Sequence, residues 1–259
     1  MKVDIVADVG NSRIKWGLCV EQGLRASASL PLGDPAAWEK QINDWHLTGS
    51  LIWAIGSVHP GNLEVLTDWL QSRGDKVGML ARHDLLPLEI RVDSPERVGV
   101  DRLLNAVAVN SRRRRGAKRL RGKPAIVIDA GTAVTVDLLG HDGAFEGGAI
   151  FPGRRLMAAA LHDYTALLPL VAGAEARPPS VGKNTTAAIE AGILYAVAGG
   201  INQLILCQLN VHYQQQVPLV KPAVFLTGGD APFLQWAIDH RAVLWPEMTL
   251  EGLRLSAEA

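Results

Sequence analysis

Two carboxylates occupy the same place in two copies of one pattern. In Val3–Val20, VDIVADVGNSRIKWGLCV, an apolar run ends at Asp8, turns through Gly10, Asn11 and Ser12, and leaves as a second run. In Ala125–Gly140, AIVIDAGTAVTVDLLG, an apolar run ends at Asp129, passes Gly131 and Thr132, and leaves the same way. Asp8 to Asp129 and Gly10 to Gly131 are both 121 residues apart in a chain of 259. That spacing indicates an internal duplication rather than a short-period solenoid. Backbone N–H groups at a glycine turn can hold phosphate oxygens, and a neighbouring aspartate can hold a divalent cation against them. Two such turns facing one cleft would grip a nucleotide from both sides. Lys15 could add a positive charge from the second run, or face solvent as an ordinary strand residue. The plain alternative for either motif is a hairpin whose aspartate caps its own turn.

The local pattern decides against two other phosphate-binding arrangements. A Rossmann fingerprint or a P-loop needs a strand, a glycine turn and then a helix. Here Ile14, Trp16 and Leu18 alternate with Arg13, Lys15 and Gly17, so the turn feeds another strand.

A third carboxylate lies in Gly99-Val100-Asp101-Arg102, directly before the apolar helical row Leu103, Leu104, Val107 and Ala108. Asp101 could be an ordinary helix N-cap, or a base that takes the proton of a hydroxyl attacking a γ-phosphate. Arg102 could make a two-toothed contact with a substrate carboxylate, or pair with Glu96 or Asp93 at the surface. The segment Val224–Asp230, VFLTGGD, is a strand running into paired glycines, Gly228 and Gly229, which would let backbone approach a ligand closely. Alternatively it is a strand-to-helix turn with Asp230 as the cap.

The elements that must carry these residues read in order. After the first hairpin come a strand at Leu24–Leu30, a helix at Pro35–Trp45, a strand at Leu51–Val58, a helix at Asn62–Gln71, a short strand at Lys76–Leu80 and a helix from Val100 to about Val109, spelling βββαβαβα. The second half repeats three strands, the third at Ala144–Phe151, and a helix from Gly153 to about Leu168. It continues with a helix from Asn184 to about Tyr213, a strand at Ala223–Thr227, a helix at Ala231–His240, a strand at Val243–Trp245 and a terminal helix near Leu250–Ser256. The expectation is an α/β protein of two domains, 1–117 and 118–259, with mixed sheets covered on both faces.

Between them runs Arg112–Lys123, eight basic residues with Gly116 and Gly122 and no aromatic, which reads as a solvated linker. Nucleic acid as a partner is disfavoured because the chain balances 26 basic against 26 acidic residues and has no global field to recruit a polyanion. Cys19 and Cys207 are too far apart for a disulfide framework or a zinc site and read as core thiols of a reducing compartment. The histidines lack metal-ligand spacing. Asp4 and Asp8 interrupt any signal-like apolar region, and the apolar stretches fall short of a membrane span, so a cytoplasmic protein is expected.

Two βββαβαβα halves, each opening with an acidic glycine hairpin, resemble the actin-like ATPase superfamily and its duplicated ribonuclease H-like fold. Within it, the chain is most similar to the type III pantothenate kinase family. The stretches that carry the resemblance are Asp8–Ser12, Pro95–Arg102 with Asn105–Ala108, Asp129–Thr132, Gly147–Gly153, Thr165–Pro169, Gly182–Thr185 and Thr227–Asp230, in family order. The resemblance implies ATP-dependent phosphorylation of pantothenate at its terminal hydroxyl, the entry step to coenzyme A. It implies Asp101 as base, with Gly99, Val100, Arg102 and Thr185 at the pantothenate site. Asp8, Gly10, Asn11 and Ser12 would hold phosphates and magnesium, joined by Lys15, Gly131 and Thr132, with Gly228 and Gly229 at the adenosine. Asp129 matches a position that helps bind a monovalent cation, potassium or ammonium. Family members are homodimers with the substrate site at the subunit interface.

Two positions depart from the family pattern. Ser12 replaces the usual threonine and keeps the hydroxyl. Val92 stands where tyrosine is common and cannot donate a hydrogen bond, a loss of about 0.5–1.5 kcal/mol for one neutral contact. That leaves open a kinase for another small hydroxy acid. The family also includes accessory factors in transcription, a role the Arg112–Lys123 run would suit, but three retained carboxylates point to catalysis.

Overall fold

The structure is a computed structural model that describes residues 2–21, 23–57, 59–80, 82–115, 120, 122–172, 177–213 and 221–259. The chain divides into two compact units, Met1–Arg121 with Glu247–Ala259, and Gly122–Pro246.

The first unit opens with an antiparallel meander, β1 (Ile5–Val9), β2 (Ile14–Val20) and β3 (Gly23–Leu30). It continues through α1 (Pro35–Asp44), β4 (Ile52–Ser57), α2 (Pro60–Ser72), β5 (Lys76–Met79) and α3 (Val100–Arg115). The strand order is β3-β2-β1-β4-β5, with β4 parallel to both β1 and β5. The first helix starts at Pro35 as expected, whereas the second starts at Pro60, two residues before the expected Asn62; both have proline in the first turn and a side chain on a free backbone N–H, with Asp34 accepting from Ala37 at 3.0 Å and His59 from Asn62 at 3.2 Å. Gly74, at φ +76°, ends α2 in the left-handed region.

Alternate residues of the strands, Ile5, Ala7, Val9, Ile14, Trp16, Trp53 and Ile55, pack with Trp38 and Ile42 of α1 and Leu66 and Leu70 of α2. Five of the seven tryptophans gather here rather than scatter. Trp16 meets Trp53 edge-on at 4.8 Å and stacks on Trp69 at 6.0 Å, and Trp38 and Trp45 complete the cluster.

The second unit repeats the plan: β6 (Ala125–Ala130), β7 (Ala133–Leu139), β8 (Phe145–Pro152), α4 (Arg154–Asp163), α5 (Thr185–Tyr213), β9 (Ala223–Thr227), α6 (Ala231–Leu234) and β10 (Ala242–Leu244). Its sheet order, β10-β9-β6-β7-β8, matches the first sheet position for position. One segment of α5, Thr185–Asn210, is long and apolar enough to cross a membrane, contrary to the sequence expectation. Its row of Leu194, Val197, Ile201, Ile205 and Leu209 packs on Ile126, Ile128, Val134 and Val136 of the sheet, the placement of a core helix. Cys207 of α5 is exposed rather than core. Cys19 is half-buried, and desolvation pushes its thiol up to about 12. The helix expected over Ala231–His240 stops at Leu234 and continues only as a short 3-10 turn. Asn202 of α5 takes the backbone there, donating to the Ala237 carbonyl at 2.9 Å and accepting from the Asp239 N–H at 3.0 Å.

The last helix, α7 (Met248–Glu258), corrects the expected division, because it belongs to the first unit and lies on α3. Thr249 donates to Asn105 at 2.9 Å in this contact, and a Cβ on Gly252 would collide with the Leu104 backbone. The basic run is corrected too. Arg112–Arg115 are the last turn of α3, where the helix dipole favours cations, and Arg113 is buried, donating to Asn110 at 3.1 Å. Lys118, Arg119 and Arg121 lie outside the described residues. Because α3 and α7 touch backbone to backbone at Gly252, Gly252→Ala is expected to destabilise the protein by about 1–3 kcal/mol, read as a lowered urea midpoint.

Candidate functional site

The two-residue period of β1 decides where Asp8 points. Ile5, Ala7 and Val9 face the tryptophan core, so Asp8 lies on the opposite face, half-buried, beside Lys15 of β2 and Gly56 of β4. The turn that follows is closed by the Gly10 N–H donating to the Arg13 carbonyl at 3.1 Å. It is tied down from two sides: Asn62 of α2 donates to the Gly10 carbonyl at 3.1 Å, and Ser57 donates to the Val9 carbonyl at 3.4 Å. Asn11 and Ser12 are left exposed at the tip.

Helix α3 comes over the same face at its fifth residue, Leu104. A Cβ on Gly56 would sit 3.1 Å from the Leu104 side chain, and Gly56 is the sheet neighbour of Asp8. Asp101 precedes Leu104 by three residues, a rise of about 4.5 Å along the helix. Asp101 is not the N-cap. The helix begins at Val100, and the Gly99 carbonyl accepts from the Arg102 N–H at 3.1 Å and from that of Leu103 at 3.5 Å. The Asp101 carboxylate accepts from the Arg102 N–H at 2.9 Å, and a Cβ on Gly99 would lie 2.6 Å from that same oxygen. Gly99 therefore makes room for the carboxylate. Desolvation pushes the Asp101 carboxyl up from its ordinary value, against the Arg102 N–H and charge. Val100 is buried, so its side chain is a packing element, whereas Arg102 is half-exposed.

In the second unit Asp129 sits on β6 between Thr135 of β7 and Thr227 of β9. The Thr135 hydroxyl is buried without a hydrogen-bond partner among the described residues. The hairpin turn is shorter than the first, with the Gly131 N–H donating to the Ala133 carbonyl at 3.0 Å and Thr132 exposed. Two glycine segments converge on it. The Gly153 N–H donates to the Thr132 carbonyl at 3.0 Å, and a Cβ on Gly153 would collide with the Gly131 carbonyl. Gly228, at φ +98°, lies against the Ala130 backbone where a side chain would not fit, and the Asp230 N–H donates to the Ala130 carbonyl at 2.9 Å. A Cβ on Gly229 meets nothing within 4 Å.

Arg154 and Phe233 belong to this convergence and carry no signal in the motif reading. Arg154 pairs with Asp230 at 3.5 Å and lies over the Phe233 ring at 3.8 Å. The clue available from sequence was a basic residue in the first turn of a helix, where the dipole disfavours it. Desolvation pushes the Asp230 carboxyl up, against the charges of Arg154 and Arg155. Thr185 begins α5, exposed, behind Asn184, whose side chain accepts from the Ala187 N–H at 2.9 Å.

The two glycine hairpins, each at the centre of a five-stranded mixed sheet of one order, define the class. This is the fold of the actin-like ATPase superfamily. Among solved structures, a Campylobacter jejuni chain named for the Baf family of transcriptional activators matches with a TM-score of 0.59 at 16% identity, covering 98% of this chain and 97% of that one. The Clostridium difficile activator of 2-hydroxyisocaproyl-CoA dehydratase, solved with bound ADPNP, matches with a TM-score of 0.50 at 13% identity, covering 99% and 94%. At these identities the likeness concerns the fold alone.

Sequence comparison is sharper. The type III pantothenate kinase profile matches residues 5–206. The type III pantothenate kinases of Alkalilimnicola ehrlichii and Azoarcus sp. are 34% and 32% identical, covering 96% and 98% of this chain and 95% and 90% of their own. The chain belongs to the type III pantothenate kinase family. It is a kinase, and its reaction is the ATP-dependent phosphorylation of pantothenate, the first step of coenzyme A biosynthesis.

A carboxyl held above its ordinary value is one whose charged form the fold disfavours. That penalty is present above the folded pKa and vanishes as pH falls to 3.8, the ordinary aspartate value. Asp101→Asn should therefore raise the melting temperature at pH 7, with the gain shrinking as the buffer is taken towards pH 4. A lowered melting temperature at pH 7 would mean that the carboxylate is there to hold the helix.

Proposed function

We propose that Asp101 is the base that accepts the proton of the pantothenate hydroxyl as it attacks the γ-phosphate, and that Asp8 holds the magnesium ion that ATP carries in. The observation that carries this is the placement of Asp8 and the Asp101 turn on one face of the first sheet, linked through Gly56 and Leu104. Among the described residues no group of three metal-ligating side chains occurs. A single carboxylate suits magnesium, which is commonly bound by one or two carboxylates together with substrate phosphates. When bound, the ion offsets charge on the phosphates. Asn11, Ser12 and Lys15 then face phosphate oxygens from the first hairpin. Gly131 and Thr132 do so from the second, Gly229 leaves space for the adenosine, and Gly228 lets that turn approach the hairpin backbone so that its own backbone can meet the nucleotide. Gly99 and Arg102 form one wall for pantothenate, with Val100 contributing backbone only, and Thr185 supplies a hydroxyl.

Asp129 and Thr135 are the oxygen donors for a monovalent cation, potassium or ammonium. The orphaned Thr135 hydroxyl directly across the ladder from Asp129 is the support for that assignment. A homodimer is supported by an apolar surface on the second unit. Tyr164 is 89% exposed and Leu167 91%, with Leu156, Leu170 and Val181 also open, more than scattered surface residues account for. The fold reads as a duplicated ribonuclease H-like architecture whose first unit takes back the last helix, and a cytoplasmic location fits an ATP-consuming enzyme with two free thiols.

A coupled assay of ADP release with and without pantothenate tests the roles. Asp101→Asn should lose turnover by a factor of about 100 or more while still binding ATP. Turnover within threefold of the unsubstituted enzyme would remove Asp101 as the base. Activity should also depend on potassium when it is titrated against choline chloride at fixed ionic strength, which holds general screening constant. Asp129→Asn should raise the potassium requirement more than it changes pantothenate affinity, and equal rates in the two salts would sink the cation assignment.

A further inference from the structure

We propose that Arg154 is a positioning residue for the nucleotide: it clasps the Gly228–Asp230 turn to the tip of the second hairpin, so that the adenosine and phosphate portions of ATP meet one preformed surface. The proposal rests on the reading of that convergence as the ATP site.

Arg154 is the first residue of α4, and no acidic residue accompanies it in the first turn. A cation there opposes the helix dipole, at a cost of about 0.3–1 kcal/mol, and needs a compensating contact. The compensation comes from outside the helix. The side chain is 11% exposed, and its guanidinium lies 3.8 Å from the centre of the Phe233 ring and reaches Asp230 at 3.5 Å. Around it the chain closes a ring of contacts. Gly153 binds the Thr132 carbonyl, Arg154 binds Asp230, and Asp230 binds the Ala130 carbonyl two residues before Thr132. Every link joins the phosphate hairpin, the α4 start or the glycine turn to another of the three.

The geometry favours positioning over simple stabilisation. A charge-assisted bond of full strength is about 2.7–2.9 Å long, shorter than the 3.5 Å seen here. Asp230 also keeps a raised pKa despite two neighbouring arginines, so the pair does not outweigh the burial of its carboxylate. A partly buried pair of this kind contributes little net stability but makes one arrangement of its elements preferred. Lysine cannot take over the role, because only a planar guanidinium can stack on Phe233 and still present an edge to the carboxylate.

The test is calorimetric binding of ATP, and separately of pantothenate, to the full-length protein and its variants. Arg154→Met and Arg154→Lys should each weaken ATP by about tenfold or more while pantothenate affinity stays within about twofold, because the contact shapes only the nucleotide surface. Asp230→Asn should weaken ATP likewise, and the Arg154→Met/Asp230→Asn double variant should be no worse than the weaker single one. An Arg154→Lys protein with unchanged ATP affinity, equal losses for both ligands, or additive losses in the double variant would overturn the proposal. Gly229→Val separates this outcome from failure of the site assignment, since its side chain enters space that the fold leaves empty. If Gly229→Val weakens ATP and Arg154→Met does not, the clasp alone is wrong. If Gly229→Val leaves ATP binding unchanged, the site assignment and the clasp fall together.

Discussion

The burial of the apolar residues of β1 and β6, which leaves Asp8 and Asp129 as the less buried positions of their strands, is the constraint on which the rest of the structure depends. Ile5, Ala7 and Val9 on one strand, and Ile126, Ile128 and Ala130 on the other, each enter a closed core at essentially no exposure. Each such side chain contributes about 1.5–3 kcal/mol of burial for the larger residues, so a slip of register by one is prohibited. Asp8 and Asp129 are the intervening residues near the ends of these runs. They are held on the opposite face of their sheets because the apolar residues cannot give up theirs. The carboxylates are thus oriented by the hydrophobic burial of their neighbours along the strand.

Close backbone approach is the second device. At Gly153 and Gly228 in the second unit, and Gly252 in the first, a single added methyl group would collide with a neighbouring backbone. In the second unit those contacts bring the α4 start and the Gly228–Asp230 turn onto the hairpin tip, so that three stretches remote in sequence share a few ångströms. In the first unit the Gly252 contact joins the terminal helix to α3, the helix that carries Asp101. A helix remote in sequence, α7, is therefore part of the support for the residue assigned the central chemical role.

Electrostatics in both units runs against stability in a way that suits function. Asp101 and Asp230 are each disfavoured in their charged form by burial, with only partial compensation from Arg102, Arg154 and Arg155. Structural carboxylates elsewhere are better served. Asp75, fully buried, accepts from the Leu51 N–H at 2.9 Å and the Trp53 indole at 3.0 Å, and takes Arg73 at 3.3 Å. The contrast separates a carboxylate that holds the fold together from ones that the fold tolerates.

The sequence by itself determined most of the strands, the recurrence of the glycine hairpin and the family, because each depends on local or repeated pattern. The period-two runs around Asp8 and Asp129, the proline-led start of α1, and the seven motif stretches could all be read without a partner in space. Asp101 was legible as a residue of interest, but that it sits inside the helix rather than capping it was not, because the helix start depends on which backbone N–H groups the Gly99 carbonyl accepts. Only the tertiary structure decided where α7 belongs, that Arg113 is a core residue, that five tryptophans form one cluster, and that Arg154 meets Asp230. These are contacts between segments far apart along the chain, and periodicity records which face of an element is apolar, not which other element will cover it.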